Sequence, residues 1–197
     1  MKVKKEERVG VEFTTNEGYQ VIIIDYVNVN KVQVMFLDEH KWTTWADWSN
    51  LKKGKIKNPF HKSIYGVGYL GLHSDGSRPL ITGDNVRPYV LWNEIIRRCY
   101  DEKSLERKPT YRDVTVCDRW HSFALFLEDL PKIKNYELWL QNENERVSLN
   151  KDLFYTENGL EHINKVYSLE TCQFLTQSEN VKEVHDRKRL QMTIETH

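Results

Sequence analysis

The sequence has 197 residues, 39% of them hydrophobic and 29% charged, and its 29 basic residues are balanced by 29 acidic ones. This length suits one or two small globular domains, and no apolar run approaches the ~20 residues of a membrane-spanning helix. A net charge of zero argues against a polycation that coats nucleic acid with its whole surface. The three cysteines, Cys99, Cys117 and Cys172, form no CxxC pair and are odd in number, so we expect reduced thiols in a cytoplasmic protein.

The first 62 residues have the pattern of a small β-domain. Residues 19–26 and 31–36 are short runs rich in β-branched and aromatic side chains, and asparagines between them supply a turn. A third segment, 42–48, carries three tryptophans, which at this density are typical of a barrel core, although tryptophans also stack on bases. These features predict an SH3-like β-barrel over residues 1–62.

Lysines concentrate at the end of this first domain, in a stretch that contains no acidic residue. Such a stretch is commonly a solvated loop, but it can also contact the phosphates of nucleic acid. We therefore include four of its members among the candidate nucleic-acid contacts: Lys52, Lys53, Lys55 and Lys57.

Residues 63–88 contain five glycines and two prolines, which break regular structure. This composition predicts a linker between two domains.

The remaining residues, 89–197, mix helical and strand patterns. Residues 91–100 show helical spacing, 111–117 is a short strand, and 120–130 is an amphipathic helix that ends before a proline. The charged tail after residue 181 is either a final helix or an extension. The whole chain is therefore expected to be an α+β protein, with the small β-barrel followed by an α+β domain.

Four segments, in this order, resemble the HNH-type endonucleases of bacteriophages and mobile introns. They are the helix that ends Arg97-Arg98-Cys99-Tyr100, the strand region 114–120, residues 147–152, and residues 167–180. The resemblance implies an HNH-like (ββα-metal) domain over residues 89–197, a bacteriophage origin, and a location in the cytoplasm of the host bacterial cell.

In this family an acidic residue and a later Asn or His bind one divalent metal ion, while a His deprotonates water and an Asn orients that His. The resemblance assigns the metal carboxylate to Asn150, the base to Lys151, the orienting position to Thr171 and the second metal ligand to Asn180. Asn180 alone has a familiar ligand type. Lys151 is protonated at neutral pH, which makes it a poor base and repels a cation.

Replacement residues nevertheless lie nearby. Asp152 can restore a carboxylate, displaced by about 6–7 Å along the strand, and His162 is a candidate base. If the domain is active, the catalytic residues are Asp152 and His162, and the ligands of a divalent cation such as Mg²⁺ are Asp152 and Asn180. If it is inactive, no cofactor is expected.

The same domain carries further candidate contacts to nucleic acid. Arg112 and Arg119 flank the predicted strand, and in related modules such a strand presents side chains to a groove of DNA, where Arg pairs with guanine. The other candidates are Arg97, Arg98 and Lys151.

Three functions follow as hypotheses. The leading one is a phage-encoded protein that binds double-stranded DNA through a degenerate, inactive HNH-like domain. The second is an inhibitor that binds a host defence effector, such as a CRISPR nuclease or another immune effector, so that its partner is a nucleic-acid-binding host protein. The third is an active metal-dependent DNA endonuclease. None of them requires a membrane partner.

Overall fold

The structure is a computed structural model that describes residues 7–141 and 146–195, with side chains described up to residue 189. The chain divides into two compact units, Met1–His61 and Lys62–His197, which we call the N-terminal unit and the C-terminal unit. Helices and strands occur together, so the prediction of an α+β protein is confirmed.

The N-terminal unit is an antiparallel sheet whose strands are adjacent in chain order. Its elements are β1 (Glu12–Thr14), β2 (Gln20–Asn28), β3 (Lys31–Phe36), β4 (Thr43–Ala46) and a short helix α1 (Trp48–Lys52). Within residues 7–61 the edge strands β1 and β4 do not pair, so the predicted closed barrel is not found. The edge strands have three and four residues, which at about 3.3 Å per residue is too short to curl across the sheet.

The core of the N-terminal unit follows from the alternation in β2 and β3. Val32, Val34 and Phe36 are buried while their neighbours are exposed or half-buried. Trp42 and Trp48 pack against this core. Trp45 is 45% exposed, and the Lys31 ammonium lies 5.0 Å from its ring centroid. The tryptophans therefore divide between core packing and surface.

The C-terminal unit contains six helices and four short strands among its described residues. The helices are α2 (Val86–Tyr100), α3 (Glu102–Arg107), α4 (Phe123–Asp129), α5 (Tyr136–Gln141), α6 (Asp152–Glu157) and α7 (Gln177–Glu195). The strands are β5 (Thr115–Val116), β6 (Val147–Asn150), β7 (Val166–Tyr167) and β8 (Gln173–Thr176). Strand β5 pairs with β7 in parallel, and β6 pairs with β8 antiparallel.

The predicted elements of this unit exist with different bounds. The predicted strand 111–117 is reduced to the two residues of β5, because a 3₁₀ turn occupies Pro109–Tyr111. The predicted helix 120–130 begins as a 3₁₀ turn, and α4 starts only after Ser122, whose hydroxyl accepts a hydrogen bond from the Leu125 amide. The charged tail forms the long helix α7.

Aromatic side chains fill the core of the C-terminal unit. Trp92, Trp120 and Phe174 are each at most 1% exposed. The Trp92 indole donates to the Trp120 carbonyl at 2.7 Å, and the Trp120 indole donates to the buried carboxylate of Asp129 at 3.1 Å. Each buried indole N–H therefore has an acceptor, as burial of a polar group requires.

Residues 63–88 belong to this core and not to a free linker. Ile64 and Leu70 pack against it. The Tyr69 amide donates to the His121 carbonyl at 3.0 Å, and the Phe123 amide donates to the Tyr69 carbonyl at 2.9 Å. Two glycines of this segment, Gly68 and Gly71, permit close packing, a role that composition alone does not distinguish from flexibility.

Gly71 provides a stability test of this packing. It has φ +70°, and a Cβ atom there would overlap the Ser122 hydroxyl. We expect Gly71→Ala to lower the free energy of unfolding by about 3 kcal/mol, from left-handed strain plus the clash. Gly76→Ala is the matched control, because Gly76 has φ +81° with nothing within 4 Å, and it should cost only about 1–2 kcal/mol. Urea denaturation measures both, and equal losses would contradict close packing at Gly71.

Candidate nucleic-acid interface

Strands β6 and β8 and helix α7 form a ββα arrangement. Leu149 lies opposite Phe174 in the hairpin, and both point into the core. Ser148 and Asn150 alternate with Leu149 and therefore face the other side of the hairpin, where α7 packs. The Asn180 side chain, in the first turn of α7, donates to the Ser148 hydroxyl at 2.8 Å.

This arrangement brings together two of the residues singled out from the sequence. The side-chain amide nitrogen of Asn150 donates to the side-chain oxygen of Asn180 at 2.9 Å. The Asn150 side-chain oxygen accepts from the Leu153 amide at 2.8 Å, and Asn180 also donates to the Thr176 carbonyl at 3.0 Å. The two amide side chains thus tie β6 to α6 and α7.

Beside this pair lies a buried ion-pair network of one acid and two bases. The Asp152 carboxylate accepts from the Lys151 ammonium at 3.1 Å and from the Lys165 ammonium at 2.5 Å. The side chains of Lys151 and Lys165 are 4% and 10% exposed. Burial raises the pKa of Asp152, but the charge of Lys151 and the hydrogen bond from Lys165 outweigh it, so this pKa lies below its usual value.

Two tyrosine rings hold the Lys151 ammonium on its other sides. Its nitrogen lies 5.0 Å from the ring centroid of Tyr111 and 5.1 Å from that of Tyr167. Contacts of this kind stabilise a cation over the face of a ring. The Lys151 ammonium is therefore surrounded by the Asp152 carboxylate and two tyrosine rings.

These residues do not fit a divalent metal ion. Mg²⁺ prefers carboxylate oxygens, but the carboxylate here, Asp152, already neutralises part of the charge of two lysines. The neighbouring Asn150 and Asn180 amides are hydrogen-bonded to each other. Within residues 7–141 and 146–195, no group of three or more His, Cys, Asp or Glu side chains is placed to hold a metal.

His162 follows α6 in the chain and contacts Thr156 of that helix. Its Nε2 is 3.2 Å from the Thr156 hydroxyl, which donates to the buried Glu183 carboxylate at 3.1 Å. Burial lowers the pKa of His162, and the positive charges of Lys165 and Arg187 lower it further. His162 is not among the residues that line the cavity next to Lys151, and its Nδ1 is buried without a hydrogen-bond partner among the described residues.

Other reactive groups near the network are also restrained. The Thr171 hydroxyl donates to the Val166 carbonyl at 2.6 Å, which shapes the turn before β8. Burial raises the pKa of Cys99 and of Cys172 to about 12, so both thiols are protonated at neutral pH.

One cavity adjoins the network, and a second cavity shares four of its lining residues; we call the surface that the two cavities line together the basic groove. The cavity next to Lys151 has a volume of about 370 Å³, and the cavity between the end of α2 and α3 has a volume of about 290 Å³. The shared residues are Arg98, Lys108, Tyr111 and Arg146. The basic residues that line the whole groove are Arg97, Arg98, Arg107, Lys108, Arg146, Lys151 and Arg187.

Each acidic side chain that lines the groove forms an ion pair with a lysine or an arginine. Glu94 pairs with Arg97 at 2.6 Å, and Glu183 pairs with Arg187 at 3.3 Å. Asp152 pairs with the two lysines already described. Four cationic side chains of the groove have no carboxylate partner among the described side chains: Arg98, Arg107, Lys108 and Arg146. The groove therefore carries an excess of positive charge although the chain is neutral overall.

The remaining predicted contacts lie outside the groove. Arg119 is bonded to Asp129 at 2.7 Å and to Glu128 at 3.3 Å, and Arg112 is exposed beyond the 3₁₀ turn. The four lysines are exposed in the N-terminal unit: Lys52, Lys53, Lys55 and Lys57. Sequence reasoning did not select several residues that the structure gathers around the groove and the network, namely Arg107, Lys108, Arg146, Lys165 and Arg187.

Comparison of this chain with protein-family models, with curated proteins and with solved structures found no match. Within the described part of the chain, no helix is both long enough and apolar enough to span a membrane.

Proposed function

We propose that this protein binds nucleic acid through the basic groove and does not cleave it. The observation that carries the proposal is the buried Lys151 ammonium, paired with Asp152, at the edge of a groove with surplus positive charge. The proposal extends to the finer assignments: an HNH-like scaffold of phage origin, an SH3-like N-terminal unit and duplex DNA as the partner. The ββα order of β6, β8 and α7 supports the scaffold assignment.

Binding follows from the charge of the groove. Guanidinium and ammonium groups that have no carboxylate partner attract phosphates when they line a concave surface, and each phosphate contact releases counterions from the nucleic acid. Arginine is especially suited to this contact because its planar fork donates two parallel hydrogen bonds to a phosphate. Arg98 and Arg146 line both cavities, so a strand lying along the groove would meet both.

The absence of cleavage follows from the contacts that the residues beside β6 and in α7 already make. A hydrolytic nuclease of this type needs a base close to neutral pKa and a hard cation beside the scissile phosphate. The base position holds a lysine paired with a carboxylate, and the metal positions hold two asparagines bonded to each other. The alternative sequence hypothesis, an inhibitor of a host defence effector, stays a prediction that requires a protein target to be identified.

The salt dependence of binding tests the proposal. Fluorescence anisotropy with labelled duplex DNA should show tight binding at low salt, with an affinity that falls steeply as salt rises. Four phosphate contacts predict a slope of log K against log salt of about −3.6. A chain that binds no DNA at low salt would overturn the proposal.

Divalent metal is expected to have no specific effect. Mg²⁺ should weaken DNA binding only by competing for the phosphates, and Ca²⁺ at the same concentration should weaken it equally within about twofold, because the phosphate charge is met by side chains. Supercoiled plasmid incubated with Mg²⁺ or Mn²⁺ should remain intact on an agarose gel. Nicking that requires the metal and stops with EDTA would contradict this prediction and restore the hypothesis of an active nuclease.

A further inference from the structure

The cavity between the end of α2 and α3 is a separate, smaller part of the basic groove. Its volume of about 290 Å³ is close to the lower end of the range of small-molecule sites, about 300–1,000 Å³. Its lining residues are Glu94, Arg97, Arg98, Ser104, Arg107, Lys108, Tyr111 and Arg146. We call it the end pocket. A strand that merely passes along a surface does not need an indentation of this size.

The end pocket holds more positive charge than a passing phosphodiester would neutralise. Its one acid, Glu94, is bound by two nitrogens of Arg97 at 2.9 and 2.6 Å. The four other basic side chains have no carboxylate partner among the described side chains. A phosphodiester carries one negative charge, whereas a phosphate monoester carries about −1.5 to −2 at pH 7. The charge of the phosphate monoester therefore matches the surplus positive charge of the pocket better than the charge of a phosphodiester does.

Two arginines of the pocket, Arg97 and Arg107, are positioned before any ligand arrives. Arg97 also donates to the Ser104 hydroxyl at 2.9 Å, and Ser104 in turn donates to Asp101 at 2.8 Å. Arg107 is bound through its Nε to the Lys103 carbonyl at 3.1 Å, which leaves the two terminal nitrogens of its guanidinium for an anion. Preorganised donors of this kind lower the entropic cost of binding.

An aromatic ring lies at the mouth of the pocket. Tyr111 lines both the end pocket and the adjoining cavity. Aromatic rings in basic grooves stack on nucleic-acid bases without strong sequence preference. A nucleotide with its phosphate in the end pocket would therefore place its base near Tyr111.

We infer that the end pocket binds a nucleotide 5′-phosphate monoester at the end of a nucleic-acid strand. This inference rests on the proposed function, because a strand end must first reach the groove. A free nucleoside monophosphate offers the same chemistry, so the test includes it as a separate probe.

The test compares one duplex in two forms, with 5′-phosphate and with 5′-hydroxyl ends. The wild type should bind the phosphorylated form about tenfold more tightly, as expected for one further charge-assisted contact. Arg107→Gln should reduce this preference to about threefold or less. Lys103→Gln is the matched control, because it removes one positive charge from the same helix but lies outside the pocket, and it should keep the preference. Equal thermal unfolding midpoints would show that both variants fold.

The outcomes separate this inference from the proposed function. Equal affinity of the wild type for both duplexes would overturn the end pocket as a phosphate monoester site and leave DNA binding in place. No binding of either duplex would overturn both. Displacement of the phosphorylated duplex by deoxynucleoside 5′-monophosphate, but not by the nucleoside, would support the site. The concentration that this displacement requires would show whether free nucleotides or strand ends are the tighter ligands.

Discussion

Reversing two charges of the basic groove, Lys108→Glu with Arg146→Glu, is expected to lower the affinity for duplex DNA by a hundredfold or more. Both side chains line both cavities and have no carboxylate partner among the described side chains. Each lost phosphate contact removes about 0.9 from the salt slope, so the slope should fall by about 1.8. Anisotropy titrations across a salt series measure both quantities.

A second pair of substitutions controls for net charge. Lys103→Glu with Lys188→Glu changes the charge by the same amount at two exposed positions of the C-terminal unit that line neither cavity. This variant should bind within about threefold of the wild type, since exposed charges that make no phosphate contact are screened by salt. Equal losses for the two pairs would mean that binding reports overall charge, and the groove would not be the interface.

Asp152→Ala is expected to cause the largest loss of stability among single substitutions, about 3–5 kcal/mol. The substitution leaves Lys151 and Lys165 as buried ammonium groups whose carboxylate acceptor is gone. Urea denaturation at neutral pH measures the loss. Asp113→Ala is the control, because Asp113 is exposed and forms no ion pair with the described side chains. This substitution should change the free energy of unfolding by about 0.5 kcal/mol or less.

The pH dependence of this effect has a defined sign. The pKa of Asp152 is lower in the folded state than its usual value, so its contribution is fully present above the unfolded carboxyl pKa of about 3.9. The contribution disappears as pH falls through the lower folded-state value, where the carboxylate becomes protonated. Wild type and Asp152→Ala should therefore converge in stability in strong acid. If the free energies of unfolding of the wild type and of Asp152→Ala differ by less than about 1 kcal/mol at neutral pH, the network does not behave as a buried one.

Adding Lys165→Met to Asp152→Ala should recover part of the lost stability. The second change removes one of the two unpaired buried charges and replaces it with an apolar side chain of similar length. A double variant as unstable as Asp152→Ala alone would indicate that Lys165 reaches solvent when its partner is absent.

Part of the site was singled out from the sequence. The resemblance drew attention to Asn150 and Asn180, and the structure joins these two side chains at 2.9 Å. Lys151 and Asp152 were singled out as well, and the structure pairs them. Lys165 was not predictable, because it lies 13 residues from Asp152 in the chain and reaches it through the turn before β7.

Arg119 was predicted to contact DNA because it lies next to a short strand, and that stays a prediction. The fold adds a partner that the sequence did not indicate: the chain returns through α4 and brings Asp129, ten residues away, within 2.7 Å of the Arg119 guanidinium. A sequence pattern reports which charges exist, and the partner of each charge depends on how the chain folds back.

The sequence by itself determined the mixture of helices and strands, the alternating core of β3 and the presence of helices α2 and α4, because hydrophobic periodicity depends on near neighbours. Only the tertiary structure decided that residues 63–88 pack into the C-terminal unit, that the N-terminal sheet stays open, and that a neutral chain gathers cations without carboxylate partners along one groove. These features depend on which side chains meet in space, and interactions between charges change steeply with the distance and solvent exposure that folding sets.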